Sequence, residues 1–151
     1  MNENVVYDEV SSYFGMRKIH TENGMVYLNN KPYYQKLVLN QGYWREGLLT
    51  APSDEAFVKD IELIKAMGFN GCRIHQKVED PRFLYWADKL GFIVWGECGA
   101  FISYGNEACR RLQAEWYEII ERDYNHPCIV TWTPINESWG VPEIVRNPQQ
   151  Q

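Results

Sequence analysis

The sequence predicts an α/β fold in which helices cover a parallel β-sheet. Short apolar runs alternate with amphipathic helical segments in the order β-α-β-α-β-α-β. Each helical segment has recognisable start and stop residues. The strand-like runs are continuously hydrophobic, as expected for parallel strands that are covered on both faces. Right-handed crossovers would join such strands, either in an open doubly wound sheet or in a (β/α) barrel.

An extended lead-in precedes these units. Residues 5–19 alternate loosely between polar and apolar side chains, which predicts extended chain. Asn23 and Gly24 favour a tight turn because both residue types tolerate positive φ. Residues 25–28 and 31–33 then predict a small hairpin.

The first β/α unit begins with a β-rich run at residues 33–39, followed by a long loop. Ser53 is placed to cap a helix, and the acidic residues 54 and 55 follow it at the positive end of the helix dipole. Gly68 predicts the end of this helix. The apolar residues expected on its buried face are Phe57, Ile61, Ile64 and Met67.

The second unit begins with a strand at residues 70–74. Pro81 suits the first turn of the following helix, and Gly91 suits its end. The side chains expected to face the core are Phe83, Trp86, Ala87 and Leu90.

The third unit begins with four apolar residues at 92–95. Asn106 is placed to cap its helix, and Pro127 prevents the helix from continuing. Residues 128–133 predict a fourth strand. The buried stripe of the third helix is expected to contain Ala108, Leu112, Trp116, Ile119 and Ile120.

Composition excludes several classes of function. A net charge of −5 provides no basic surface for nucleic acid, and no apolar run approaches the roughly 18 residues of a membrane helix. Cysteines and histidines do not cluster along the sequence with zinc-site spacing, so we expect reduced thiols, no metal and no cofactor. No glycine-rich nucleotide loop follows the first strand. The first residues lack a signal-peptide pattern, which leaves cytoplasm and periplasm open.

Polar and aromatic residues follow each predicted strand at its C-terminal end, where parallel α/β folds place their sites. Aromatic faces, amides and carboxylates in one place suit a sugar. Arg73 lies on a strand expected to be buried and therefore needs an anionic partner. The residues at the four strand ends include Trp44, Arg73, His75, Trp95, Glu97, Asn136, Glu137 and Trp139.

Several of these residues also have simpler interpretations. His75 can be a hydrogen-bonded rim residue, and Trp95 can pack inside a barrel. Glu97 can be the end of a strand that meets solvent. Trp132, on the fourth strand, is expected in the core rather than at a binding surface.

Several linked motifs resemble the catalytic barrel of glycoside hydrolase family 2, which holds β-galactosidases, β-glucuronidases and β-mannosidases. Residues 60–73 resemble its first helix and second strand, and residues 80–95 its second helix and third strand. Residues 125–132 with Asn136 and Glu137 are similar to its fourth-strand signature. The resemblance implies a partial (β/α)8 TIM barrel of about four β/α units. Residues 1–24 would be a lead-in from a preceding sandwich domain, and residues 25–151 the truncated N-terminal half of the barrel.

The resemblance also implies residue roles. Glu137 matches the general acid/base of a retaining enzyme, and Asn136 matches the residue that binds the sugar 2-hydroxyl. Arg73 matches the arginine that orients the nucleophile, which lies on the seventh strand of the family and outside this chain. We expect Trp132 or Trp139 to bury Glu137 and keep it protonated. The supporting substrate-binding residues would be Asn136, Arg73, His75, Trp95, Trp139 and Trp44.

These roles imply a β-galactosidase-like fragment that is inactive alone. The family's magnesium loop carries Glu-Thr-His, whereas residues 100–105 here read AFISYG, so no metal is expected. An alternative is a non-catalytic module that binds sugar or forms homo-oligomers through its open barrel edges. A third reading is an unrelated open α/β domain.

Overall fold

The computed structural model describes residues 7–151, which contain two β-sheets. The first six residues, including the start of the expected lead-in and of the segment searched for a signal peptide, lie outside the described residues. An antiparallel sheet contains β1 (Ile19–Glu22), β2 (Met25–Leu28) and β3 (Lys31–Pro32). A parallel sheet contains β4 (Leu37–Asn40), β5 (Gly71–Ile74), β6 (Ile93–Glu97) and β7 (Ile129–Thr133), in that order. The helices are α1 (Asp54–Ala66), α2 (Pro81–Leu90) and α3 (Asn106–Asp123).

The parallel sheet confirms the predicted alternation of strands and helices. Its register aligns Leu39, Arg73, Trp95 and Thr131, one residue from each strand, and we call the side of the sheet that carries them the open face. The opposite side packs on α1 and α2 through a core that includes Cys72, Val94, Ile129, Phe57, Ile61, Phe83 and Ala87. Side chains on the open face are therefore held by strands whose other side is buried.

Local capping explains where two helices begin. The Ser53 side chain accepts a hydrogen bond from the Ala56 amide at 3.4 Å, as predicted. Asp80 caps α2 by accepting from the Arg82 amide at 2.9 Å, and Pro81 occupies the first turn. The predicted cap at Asn106 is wrong, because α3 begins at Asn106 and Gly105 precedes it without a side-chain cap.

Two further predictions differ from the structure at the ends of elements. Met67 follows the last residue of α1 and is 67% exposed, so it does not continue the apolar stripe. The first parallel strand begins at Leu37 rather than at residue 33. The reason is that the Tyr33 amide bonds back to Val26, while the Asn70 side chain bonds to the backbone of Tyr34 and Lys36.

The lead-in is attached to the N-terminal end of the parallel sheet through Asp88, near the end of α2. Tyr13 donates a hydrogen bond to Asp88 Oδ2 at 2.7 Å, and His126 Nδ1 lies 2.6 Å from the same oxygen. The Cys128 amide donates to Asp88 Oδ1 at 2.7 Å. Arg17 adds a hydrogen bond from Nε to the Ile129 carbonyl at 3.0 Å. One carboxylate, on a side chain that is only 6% exposed, thus joins the lead-in, α2 and the start of β7.

We expect this attachment to weaken in acid. Burial raises the pKa of Asp88, but hydrogen bonds from His126, Cys128 and Tyr13 outweigh burial and lower it below its usual value. A lowered pKa in the folded state contributes stability above the ordinary pKa of about 4, and this stability is lost as pH falls through the folded value. Asp88→Asn should therefore cost about 1–3 kcal/mol at pH 7 and less in acid.

Urea unfolding of wild type and D88N between pH 7 and pH 3 measures this difference. Asp8→Asn, at an exposed position of the lead-in, serves as the matched control. A stability difference between D88N and wild type that stays constant with pH would contradict the assignment.

Candidate active site

Arg73 and Glu97 form an ion pair at the C-terminal ends of β5 and β6. Arg73 Nε donates to Glu97 Oε2 at 2.8 Å, and Glu97 is only 2% exposed. The expected anionic partner of Arg73 is therefore present. The interpretation of Glu97 as a strand end that meets solvent is wrong, because its side chain lies under the Arg73 guanidinium rather than in water.

Asn136 joins this pair from the segment that follows β7. Its side-chain oxygen accepts from Arg73 Nη2 at 2.6 Å, and the residue is 3% exposed. We call Arg73, Glu97 and Asn136 the Arg73 cluster. It connects the C-terminal ends of three neighbouring strands, where the strand-end argument placed a site.

The second oxygen of Glu97 holds the backbone just after β5. The Gln76 amide donates to Glu97 Oε1 at 2.9 Å, and Gln76 adopts a left-handed conformation with φ of 52°. His75 Nδ1 is buried without a hydrogen-bond partner and lies 3.6 Å from Glu97 Oε1. Left-handed φ at a residue other than glycine is costly and is typical of functional positions.

Glu137 lies in a tight turn directly after Asn136. Glu137 and Ser138 both have positive φ, 50° and 59°. The turn is closed by the Trp139 amide, which donates to the Asn136 carbonyl at 3.0 Å. Gly140 is required there, since its φ is 82° and a Cβ would lie 2.5 Å from the Phe101 ring. The buried Asn136 thus presents Glu137 at the rim of the sheet.

The expectation that Trp132 or Trp139 buries Glu137 is wrong. Glu137 is exposed, and Trp139 is 51% exposed beside it. Trp132 lies on the helix side of the sheet, where its ring meets Trp116 edge-on at a centroid distance of 5.8 Å. The expectation that Trp132 belongs to the core is confirmed by this packing.

The remaining aromatic candidates occupy two different places. Trp95 lies on the open face in register with Arg73, and its indole donates to Gln35 at 2.6 Å. Trp44 packs edge-on against Phe57 of α1, at a centroid distance of 5.6 Å. The structure therefore brings Trp95 close to the Arg73 cluster and leaves Trp44 with the helix core.

Sequence reasoning undervalued Glu97 and Gln76 as site residues. Side chains two residues apart on a strand share a face, so Glu97 shares the face of Trp95. In the structure Trp95 pairs in register with Arg73, so this periodicity brings Glu97 near the arginine once the register is known. No sequence signal marks the left-handed conformation of Gln76.

Two regions bear on metal binding. The loop between β6 and α3 has no carboxylate or imidazole from residue 99 to 105, so its donor set does not fit a divalent cation. Contrary to the sequence expectation, a histidine and a cysteine do cluster, as His126 and Cys128 lie beside Asp88 at the opposite end of the sheet. Both Asp88 oxygens already accept hydrogen bonds there, and burial raises the pKa of the Cys128 thiol, which disfavours the thiolate that binds metals.

Comparison with known proteins identifies the family. Residues 19–147 match the model of the glycosyl hydrolases family 2 TIM barrel domain. The chain belongs to glycoside hydrolase family 2. The fold is accordingly a partial TIM barrel, and the reading as an unrelated α/β domain is wrong.

Relatives of the family 2 chain carry two kinds of name. The chain is 34% identical over 148 residues to a putative beta-glucuronidase of Formosa agariphila. That match covers 92% of this chain and 17% of the relative. The chain is 31% identical over 139 residues to a beta-galactosidase of Vibrio cholerae, with coverage of 85% and 13%. The chain thus spans less than a fifth of either relative.

Solved structures agree on the fold. A β-glucuronidase from Ruminococcus gnavus in complex with D-glucaro 1,5-lactone superposes with a TM-score of 0.78 at 25% identity. That match covers 91% of this family 2 chain and 24% of the other.

Among residues 7–151, no helix combines the length and apolar character that crossing a membrane requires.

We predict that the ion pair between Arg73 and Glu97 contributes to the free energy of unfolding of the chain. Arg73→Met leaves a buried carboxylate without its cation and should cost about 1–3 kcal/mol of unfolding free energy. The double variant R73M/E97M should regain part of this loss, because no unpaired charge is then buried.

Urea unfolding measures both variants, with Arg110→Met as the control. Arg110 pairs with Glu107 on the exposed surface of α3, so R110M should leave the unfolding midpoint nearly unchanged. A double variant less stable than R73M would contradict this account of the pair.

Proposed function

We propose that this chain is the N-terminal half of a family 2 catalytic barrel and supplies Glu137 as the general acid/base of a retaining β-glycosidase. One observation carries the proposal: the buried Asn136, bonded to Arg73, presents the adjacent Glu137 at the C-terminal rim of the parallel sheet. This is the end at which TIM-barrel enzymes place their chemistry. The family match supports the reaction class.

In the proposed mechanism, Glu137 donates a proton to the glycosidic oxygen and later accepts one from water. Asn136 would hydrogen-bond a sugar hydroxyl through its side-chain amide, in a contact that strengthens as charge develops on the ring. The Arg73 side chain is 31% exposed, and two of its N–H groups bind Glu97 and Asn136. Its remaining donors can orient a second carboxylate that reaches the open face.

That second carboxylate must be the nucleophile, and Glu97 does not suit the role. Retaining hydrolysis needs a free carboxylate about 5–5.5 Å from the acid. Both oxygens of Glu97 are occupied, one by Arg73 and one by the Gln76 amide. We therefore propose that the nucleophile comes from another part of the complete barrel.

The substrate is proposed as a terminal β-glycoside, with a β-galactoside as the first candidate. The alternative is a β-glucuronide, because the relatives bear both names. Trp95, His75 and Trp139 are proposed as contacts to the substrate, since they lie on or next to the face that carries Arg73. Trp44 is proposed to support the site indirectly, through its packing against Phe57.

A second candidate is a self-associating or sugar-binding half-barrel without catalysis. Leu39 on the open face is 59% exposed, and Tyr34 just before β4 is 81% exposed. Apolar groups beside an unpaired strand edge favour association. Light scattering tests this candidate, since a monomer at high concentration would exclude association, and calorimetry with galactosides, glucuronides and mannosides tests binding.

We predict that the isolated chain does not hydrolyse aryl β-glycosides. In the proposed assignment this chain supplies only Glu137 of the catalytic pair, so nitrophenyl galactoside and glucuronide should release no phenolate above background. The rate is compared with that of E137Q prepared in parallel. Turnover that is reproducible between preparations and absent in E137Q would contradict the missing nucleophile.

A second prediction concerns a longer enzyme that carries this segment. Glu137→Gln should sharply lower turnover of substrates with poor leaving groups, which need a proton, and affect activated aryl glycosides less. Far-ultraviolet circular dichroism should remain unchanged, because Glu137 is exposed. Glu143→Gln, at another exposed carboxylate after β7, is the matched control. Normal rates of E137Q on poor leaving groups would reject the acid/base role.

A further inference from the structure

We propose that Glu97 is a positioning residue that sets the orientation of the Arg73 guanidinium and, through it, of Asn136. The inference rests on the proposed function only for its consequence in sugar binding. Its structural part, the control of Arg73 by Glu97, stands on the hydrogen bonds of the described residues.

The geometry of the pair makes Glu97 the fixed member. Glu97 is 2% exposed and uses its two oxygens in opposite directions, one to Arg73 Nε and one to the Gln76 amide. Arg73 is a long side chain that is 31% exposed, and it would otherwise sample many rotamers. A charge-assisted bond to Nε fixes the plane of the guanidinium, and this plane aims Nη2 at the Asn136 oxygen.

The bond to Gln76 extends the same control to the rim after β5. Gln76 has φ of 52°, a conformation that must be held by its surroundings. The Glu97 carboxylate supplies such a hold by accepting the Gln76 amide. Gln76 is exposed at the strand end, next to the His75 ring. Glu97 thereby links Arg73, His75 and Gln76 without facing solvent itself.

Glu79 is a matched comparison within the chain. It is 6% exposed, pairs with Lys77 at 3.0 Å and accepts the Asp80 amide at 2.9 Å, so it resembles Glu97 in binding one cationic side chain and one backbone amide, although both bonds end on the same oxygen, Oε1. Lys77 also donates to the Leu49 carbonyl at 3.1 Å, within the long loop after β4. Among the described residues, Glu79 therefore bonds through its side chain to Lys77 and the Asp80 amide, and forms no hydrogen bond or ion pair with the Arg73 cluster.

The decisive experiment is nitrogen-15 NMR of the chain in wild type, E97Q and E79Q. In E97Q the Arg73 Nε–H signal should shift upfield and exchange with water roughly tenfold faster, and the Asn136 side-chain amide should shift. In E79Q the thermal midpoint should fall while both signals stay in place. A purely structural role of Glu97 would instead lower the midpoint of E97Q and leave the Arg73 and Asn136 signals unchanged, and that result would overturn the proposal.

Two further measurements keep the test decisive. If E97Q does not fold, the wild-type chain is used, in which Arg73 Nε–H should exchange roughly tenfold more slowly than Arg110 Nε–H of the exposed pair on α3. Equal exchange rates would overturn the proposal.

Calorimetry with methyl β-galactoside and methyl β-glucuronide then tests the proposed function separately. Absence of wild-type binding counts against the function, whereas the Arg73 signals still decide the role of Glu97.

Discussion

The site depends on one constraint, a carboxylate buried on the open face of a parallel sheet. Glu97 is 2% exposed, and a charge in such a place requires a cation and hydrogen-bond donors. Arg73 supplies the cation from the neighbouring strand, and the Gln76 amide supplies the second donor. Because Arg73 is held in this way, it reaches Asn136, and Asn136 in turn leads directly into the turn that presents Glu137. Removal of the Glu97 carboxylate would leave the Arg73 guanidinium and the Gln76 amide without the acceptor that they share.

The two ends of the parallel sheet differ in how their polar side chains are satisfied. At the N-terminal end, Asp88 ties Tyr13 of the lead-in to His126 and to the start of β7. Its oxygens are all occupied by groups of the chain, which is typical of a structural attachment. At the C-terminal end, Arg73 and Glu137 remain partly or fully exposed, which is typical of a site that receives a ligand. This difference follows the general rule for TIM barrels, in which the C-terminal ends of the strands carry the active site and the N-terminal ends serve stability.

Much of the fold could be predicted because the signals are local. Ser53 and Pro81 mark helix starts through bonds or geometry within a few residues, and the Asn23-Gly24 turn adopts positive φ as its composition indicates. Prediction was wrong where a distant group intervened. Residues 33–36 do not continue β4, since they bond to Val26 and Asn70 instead. Within the site, the need of Arg73 for an anion was visible, but its partner was not.

By itself, the sequence determined the order of strands and helices, the family and the positions of Asn136 and Glu137 at the end of the fourth parallel strand. Only the tertiary structure decided which face each side chain occupies. A shift in register between β6 and β7 places Trp132 opposite Gly96, on the helix side of the sheet and away from Glu137. Glu97 and Arg73, 24 residues apart, meet because β5 and β6 pair side by side. Register depends on packing between segments distant in sequence, and local patterns do not contain that information.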